Sequence, residues 1–312
     1  MALDAVKVTH QPRPRSMSLA RREATSFYIF IAPWIIGFIV FTAGPIIASG
    51  YFSLTSYDIA NPPKWIGFQN YLDLFTTPVF WKSIRVTITY AVMALPLGLV
   101  LSIALALLLN LKIPLLSLWR TIYYLPSVIS GVAVSLLWQL IFQPQFGILN
   151  VFLYTTFHII GPQWQYDENW VIPMFVIMSI WGVGGSMLIY LCGLQGIPTQ
   201  LYEAAEIDGA GSWRRFWSIT IPMLSPVILF NLILGIIGVF SYFTQAYVIT
   251  QGGPDYASYF YLLMLYMTAW NFLKMGLASA MAWLFFIFVL IVTIVVMRTS
   301  LLWVYYEGGE RR

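Results

Sequence analysis

Six stretches of this chain, at about 27–54, 84–109, 121–142, 170–192, 226–249 and 272–297, are apolar over the depth of a bilayer, and none carries Asp, Glu, Lys or Arg deep inside it. A helix needs about 20 apolar residues to cross about 30 Å of hydrocarbon. The expectation is an all-α, polytopic membrane protein with six transmembrane helices. Charged residues make up only 9 % of the 312, against about 25 % in soluble domains, so lipid must cover much of the surface. Aromatic residues reach 17 %, which suits belts of Trp and Tyr at the two interfaces. Arg85, Arg120 and Lys274 stand near the ends of stretches, where long side chains can reach water.

Arg13, Arg15, Arg21 and Arg22 precede the first stretch. A secretory signal peptide also begins with basic residues, but its apolar region covers about 7–15 residues; this one is about twice that and reads as a retained helix. The polar first twenty or so residues are expected to be disordered. Asn61-Pro62-Pro63, Gln143-Pro144-Gln145 and Gln251-Gly252-Gly253-Pro254-Asp255 mark loops, because Pro and Gly at that density end helices. Basic residues set the orientation. With a cytoplasmic N-terminus, Lys7, Arg13, Arg15, Arg21, Arg22, Lys112, Arg120, Arg214, Arg215, Arg298, Arg311 and Arg312 lie inside, and only Lys64, Lys82, Arg85 and Lys274 outside. Six spans then put both termini in the cytoplasm. The expected organisation is a tail at 1–26, a first helix with an external segment at 27–83, a core at 84–298 and a tail at 299–312. Within the core, the cytoplasmic link 193–225 is by far the longest and carries charges of both signs, as a docking element would.

Several chemistries are excluded. Cys192 is the lone cysteine and His10 and His158 the two histidines, so neither an internal disulfide nor a Cys/His metal site is expected. No G-x-x-x-x-G-K-[ST] phosphate loop occurs, so any nucleotide hydrolysis belongs to another subunit. No catalytic residue, resident cofactor, metal or nucleic-acid partner is expected; membrane lipid is. Proton- and sodium-driven carriers often place carboxylates at the bilayer centre, and this chain has none there. That weighs against an ion-coupled secondary transporter, although sodium can be held by carbonyls and hydroxyls. It also suits an uncharged polar cargo. A membrane-anchored assembly protein is the remaining alternative.

In the long link, Pro198 fits the first turn of a helix, while Gly209 and Gly211 terminate one. Leu201, Ala204, Ala205 and Asp208 recur at i, i+3, i+4 and i+7 and share a face; Glu203 and Glu206 point elsewhere. The two alanines leave room for close approach by a partner. Ser212 is placed to cap a second helix through Phe216 towards Ile219, with Pro222 and Pro226 opening the fifth span. By itself the pattern describes an amphipathic surface helix.

The fuller pattern is more specific: Glu203-Ala204-Ala205, three residues, Gly209, nine residues, Ile219, one residue, Ile221-Pro222. It resembles the EAA loop of bacterial ABC importer permeases, with Ile221 where Leu is usual. Gly67-Phe68-Gln69-Asn70-Tyr71 with Phe80-Trp81, and Gln251-Gly252-Gly253-Pro254, are similar to external segments of maltose-transporter-type sugar permeases. The resemblance implies a type I ABC importer permease core in a bacterial or archaeal plasma membrane. It implies a coupling helix at Leu201, Glu203, Ala204, Ala205, Asp208 and Gly209, seated in a cytoplasmic ATPase dimer that binds ATP and Mg. It further implies a second, homologous permease and an extracytoplasmic solute-binding protein. Cargo would be a sugar or oligosaccharide, or alternatively a glycerol-phosphate-type ester. By the same resemblance, Ser179, Gly182, Ser186, Gly235, Gly238, Val239 and Tyr242 fall near the substrate pathway. Taken alone, glycines and serines in such helices serve packing more often than binding.

Overall fold

The computed structural model describes residues 19–111 and 113–305. The expectations for the disordered N-terminal tail, for His10, and for Lys7, Arg13, Arg15, Lys112, Arg311 and Arg312 on the inner side fall outside those residues. The chain forms two units, residues 1–51 and 52–312.

Within the first unit, α1 (Leu19–Phe38) passes through one π-helical turn, Ile39–Ala43, into α2 (Gly44–Ser53). Arg21–Ser53 is an apolar helix of 33 residues, long enough to span a bilayer. The wide turn precedes Pro45, which lacks an N–H and crowds the carbonyl four residues back; one extra residue in the turn relieves both.

The second unit opens with a small antiparallel pair, β1 (Thr55–Ser56) and β2 (Lys64–Trp65), followed by α3 (Gln69–Thr76). Buried Asn70 ties these pieces together, its amide donating to the carbonyls of Ser53 and Thr55 at 2.9 Å each. The long α4 (Pro78–Leu109) begins on a proline, where no backbone donor is needed. It extends six residues ahead of the expected start of the second stretch.

The third stretch departs from expectation. Instead of one straight span it comprises α5 (Leu116–Val128) and α6 (Gly131–Ile141), bent by 99° at Ile129–Ser130. Pro126 and Gly131 flank the break. After α7 (Ile148–Phe157), the fourth stretch is also a pair, α8 (Val171–Trp181) and α9 (Gly184–Gln195), bent by 46°. Then come α10 (Thr199–Ile207), α11 (Ser212–Arg215), a π turn at Phe216–Thr220, α12 (Ile221–Phe240) and α13 (Thr244–Ile249). This second π turn again precedes a proline, Pro222. The fifth span therefore runs from Ser212 to Ile249 rather than opening at Pro222 or Pro226. Gly211, not Ser212, occupies the N-cap of α11. The link expected over 193–225 shrinks to 196–211. Finally α14 (Tyr261–Tyr266), a π turn at Met267–Asn271 and α15 (Met275–Trp303) close the chain. Among the described residues, four helices are long and apolar enough to span a bilayer and two bent pairs qualify as broken spans.

Two cores stabilise this unit. Tyr90, Phe175, Phe260, Met174 and Met281 pack around the first half of α4; Ala106, Leu109, Met187, Tyr190 and Leu224 pack around the second half. Lipid is as apolar as leucine, so close packing rather than hydrophobic transfer drives such contacts, and small residues let helices approach. Gly184 is the clearest case: a Cβ there would overlap the carbonyl oxygen of Tyr123 on α5. The guanidinium of Arg120 donates to the Leu109 carbonyl at 3.2 Å, capping the end of α4.

Candidate functional site

Two regions collect the residues singled out above. The first is α10. Its C-terminus closes as a paired-bond cap: Gly209 N–H donates to the Glu206 carbonyl at 3.0 Å and Ala210 N–H to that of Ala205 at 2.8 Å. Gly209 has φ +73°, a conformation that disfavours any residue with a Cβ. Leu201, Glu203, Ala204, Asp208 and Gly209 are exposed, whereas Ala205 is half-buried at the inner edge.

What holds the helix down is a face the sequence reading overlooked. The Tyr202 hydroxyl meets Thr220 Oγ1 at 2.9 Å, and Arg215 pairs with Glu206 at 3.1 Å. Both tethers connect α10 to the first turns of the fifth span. The i, i+4 spacing of Tyr202 and Glu206 was visible in the sequence, but their partners lie 18 and 9 residues away. The outer face presents Ile207, 87 % exposed, and nearby Trp213 is 74 % exposed.

The second region is a cleft of ≈ 250 Å³. Three helix interruptions meet there: the 99° bend after Val128, the 46° bend after Trp181 and the break between α12 and α13. Irregular backbone at membrane depth is tolerated where it lines a cavity. Of the seven pathway residues, Ser179, Gly182 and Tyr242 line the cleft. Ser186, Gly235, Gly238 and Val239 do not: Gly235 lets α12 approach Leu95, at 2.6 Å from an added Cβ, and Val239 packs on the first core. Gly238 is exposed with nothing within 4 Å of an added Cβ, and Ser186 is half-buried.

Trp181 and Gln245 complete the polar and aromatic lining. The Tyr242 ring leans on Tyr90, Phe260 and Phe175 at 4.4, 5.0 and 5.5 Å. Ser179 spends its hydroxyl hydrogen on the Val176 carbonyl. Gln245 forms no side-chain hydrogen bond among the described residues, and its amide is free for a ligand. The Tyr242 hydroxyl and the indole N–H of neighbouring Trp138 are buried without a well-aligned partner. No charged side chain lines this cleft. Amides, hydroxyls and flat aromatic faces suit a neutral polyol, and nothing in the lining would compensate an anion.

The chain matches known proteins along most of its length. A family model described as "Binding-protein-dependent transport system inner membrane component" matches residues 94–305. A relative named "Probable ABC transporter permease protein YesP", from Bacillus subtilis (strain 168), is 40 % identical over 93 % of this chain and 95 % of its own. The "Lactose transport system permease protein LacF" of Rhizobium radiobacter is 35 % identical over 89 % of this chain and 93 % of its own. Among solved structures, a chain from a bacterial alginate ABC transporter, in complex with an alginate pentasaccharide-bound periplasmic protein, superposes with a TM-score of 0.81. It is 23 % identical and covers 90 % of this chain and 96 % of that one, a likeness of fold.

Proposed function

This chain belongs to the family of binding-protein-dependent transport system inner membrane components, and on that premise we propose that it is a pore subunit of an ATP-driven importer of neutral sugars. The family match over 94–305 carries the reading; permeases named for sugar cargo among the relatives and the uncharged cleft support the cargo class. Glycerol-phosphate-type esters fit less well, because no cation lines the cleft.

In this reading both termini and α10 are cytoplasmic, and an extracytoplasmic binding protein delivers sugar from the other side. A second, similar permease completes the pathway, and an ATPase dimer holding ATP and Mg seats α10 in a groove. The Leu201–Ala204–Asp208 face and the bare Ile207 meet that groove. The Tyr202–Thr220 and Arg215–Glu206 tethers make α10 and the start of the fifth span one lever. Closure of the ATPase dimer moves the lever, and the span carrying Tyr242 and Gln245 moves with it. The cleft thereby changes the side to which it opens, a rigid-body form of alternating access.

Ile207→Asp tests the seat. The side chain is solvent-facing, so the permease keeps its fold while a charge enters an apolar contact. Affinity purification of the tagged permease should recover far less ATPase from this variant, with the sister permease retained. Full recovery of ATPase would remove α10 from the interface. Uptake in proteoliposomes that lack the ATPase would establish secondary transport instead.

Gln245→Ala tests the cleft. One neutral hydrogen bond contributes about 0.5–1.5 kcal/mol, so sugar uptake should fall by about 2- to 12-fold. Sugar affinity of the isolated binding protein stays unchanged, because the residue is not in it. Wild-type uptake in this variant would take Gln245 off the pathway.

A further inference from the structure

The first half of α4 packs on α8 and its second half on α9, so α4 and the α8–α9 pair run in one direction. Their starts lie together at one end of the unit, and α10, which follows α9, lies at the other. Between those starts is a cavity of ≈ 510 Å³, larger than the Tyr242–Gln245 cleft. Its lining is of another kind: Lys82, Arg85 and Glu168 bring charge, Asn169 an amide and Thr89 a hydroxyl. Val86 and Ile172, both buried, form its apolar part with Ala257.

The charges suit a ligand with no net charge. Lys82 is held by Asp255 at 2.7 Å, so its charge is already compensated. Arg85 and Glu168 remain, opposite in sign, and neither forms an ion pair or a side-chain hydrogen bond among the described residues. They line one cavity without pairing with each other. An anion there would meet Glu168, and a cation would meet Arg85. A hydroxyl satisfies both, because it accepts from a guanidinium and donates to a carboxylate. Asn169 spends one amide hydrogen on Asp167 at 3.2 Å and keeps its carbonyl oxygen as a further acceptor. Trp81, fixed by its indole N–H on the Phe75 carbonyl at 2.8 Å, adds an aromatic ring to the lining.

We propose that this cavity is an outer sugar site, which a neutral di- or oligosaccharide occupies on its way to the Tyr242–Gln245 cleft. The proposal rests on the sugar-importer reading for its cargo and for the side to which the cavity opens. Helix α8 joins the two places: Ile172 lines the outer cavity, and Met178 and Ser179 line the cleft about 10 Å further along the helix. Hydrogen bonds to ionised groups are about twice as strong as neutral ones, which suits a place open to water. The neutral groups of the cleft then take the sugar over.

The test uses the whole transporter complex in proteoliposomes, first without binding protein. Cys192→Ser removes the native thiol. Ala257→Cys places one in the cavity for labelling by a charged methanethiosulfonate, and Thr89→Cys repeats the measurement from the opposite wall should Ala257→Cys lower the yield of complex. Lactose, maltose and trehalose at millimolar concentration are the probes, and at least one should slow labelling several-fold. Adding Arg85→Gln or Glu168→Gln should remove that protection. Gln163→Cys, outside the cavity, should be labelled at one rate with and without sugar. Protection by none of the three sugars would overturn the proposal, as would protection by inorganic phosphate in their place or protection that survives both glutamine variants. A thiol that stays unlabelled without sugar would overturn it too, by showing that a partner subunit covers the cavity. ATP-driven uptake, measured with binding protein restored, keeps the two readings apart. Uptake without protection removes the outer site alone, and protection without ATP-driven uptake removes the importer alone.

Discussion

Gly209→Pro should abolish sugar uptake while leaving the transporter assembled in the membrane. Proline is confined to φ near −65°, and position 209 requires φ +73°. The substitution also deletes the N–H that donates to the Glu206 carbonyl. A misfit of about 3 kcal/mol lowers the population of the native helix end by about a hundredfold. The chain beyond Asp208 must then leave along another path, and the Arg215–Glu206 pair that joins α10 to the fifth span is lost with it. In proteoliposomes containing binding protein and sugar, the ATPase should run without its stimulation by loaded binding protein, and uptake should fall to background. Gly209→Ala, which keeps the N–H, pays only the left-handed cost of about 1–2 kcal/mol and should retain partial activity. Unchanged uptake and unchanged stimulation in the proline variant would falsify the lever described for α10.

Gly184→Leu should prevent the chain from folding at all. Here the obstacle is main chain against main chain: a side chain at 184 would overlap the Tyr123 carbonyl oxygen and crowd the backbone of Tyr124. Flexible side chains can yield; a crossing of two helices cannot without separating α5 from α9. The cost lies at the top of the about 1–3 kcal/mol usual for overpacking, or above it. The neighbouring glycine supplies the control. A Cβ at Gly185 meets the Ser127 side chain at 3.7 Å, an ordinary contact, so Gly185→Ala should be nearly silent. Yield of monodisperse detergent-extracted complex and its Tm separate the two: little or none for Gly184→Leu, wild-type values for Gly185→Ala. A well-folded Gly184→Leu complex would show that α5 and α9 can separate at this crossing without loss of the fold.

These two glycines show how far the residues alone could lead. Gly209 announced itself, because a glycine closing a short run that starts at Pro198 has a local meaning, and the cap formed as that pattern requires. Gly182, Gly184 and Gly185 carried no such label. All three fell in one apolar stretch, yet Gly182 borders the cleft, Gly184 makes a backbone crossing and Gly185 has ordinary room. The same holds for Gly235, expected near cargo but placed against Leu95. Gln245 stood in the sequence as one neutral polar group among several. Its place in the cleft comes from a break in the helix, which puts it in one lining with Ser179 and Trp181.

The presence of apolar, bilayer-length helices, the scarcity of charge and the α10 helix with its glycine stop were determined by the sequence itself, since each depends on residues within a few turns of one another and on the solvent they meet. The 99° and 46° bends, the meeting of three helix breaks in one cleft and the inward face of α10 were decided by tertiary structure. Hydropathy is silent about them, because lipid and a packed protein interior are equally apolar. Only the contact of one backbone with another distinguishes a residue that faces a neighbour from one that faces a cavity.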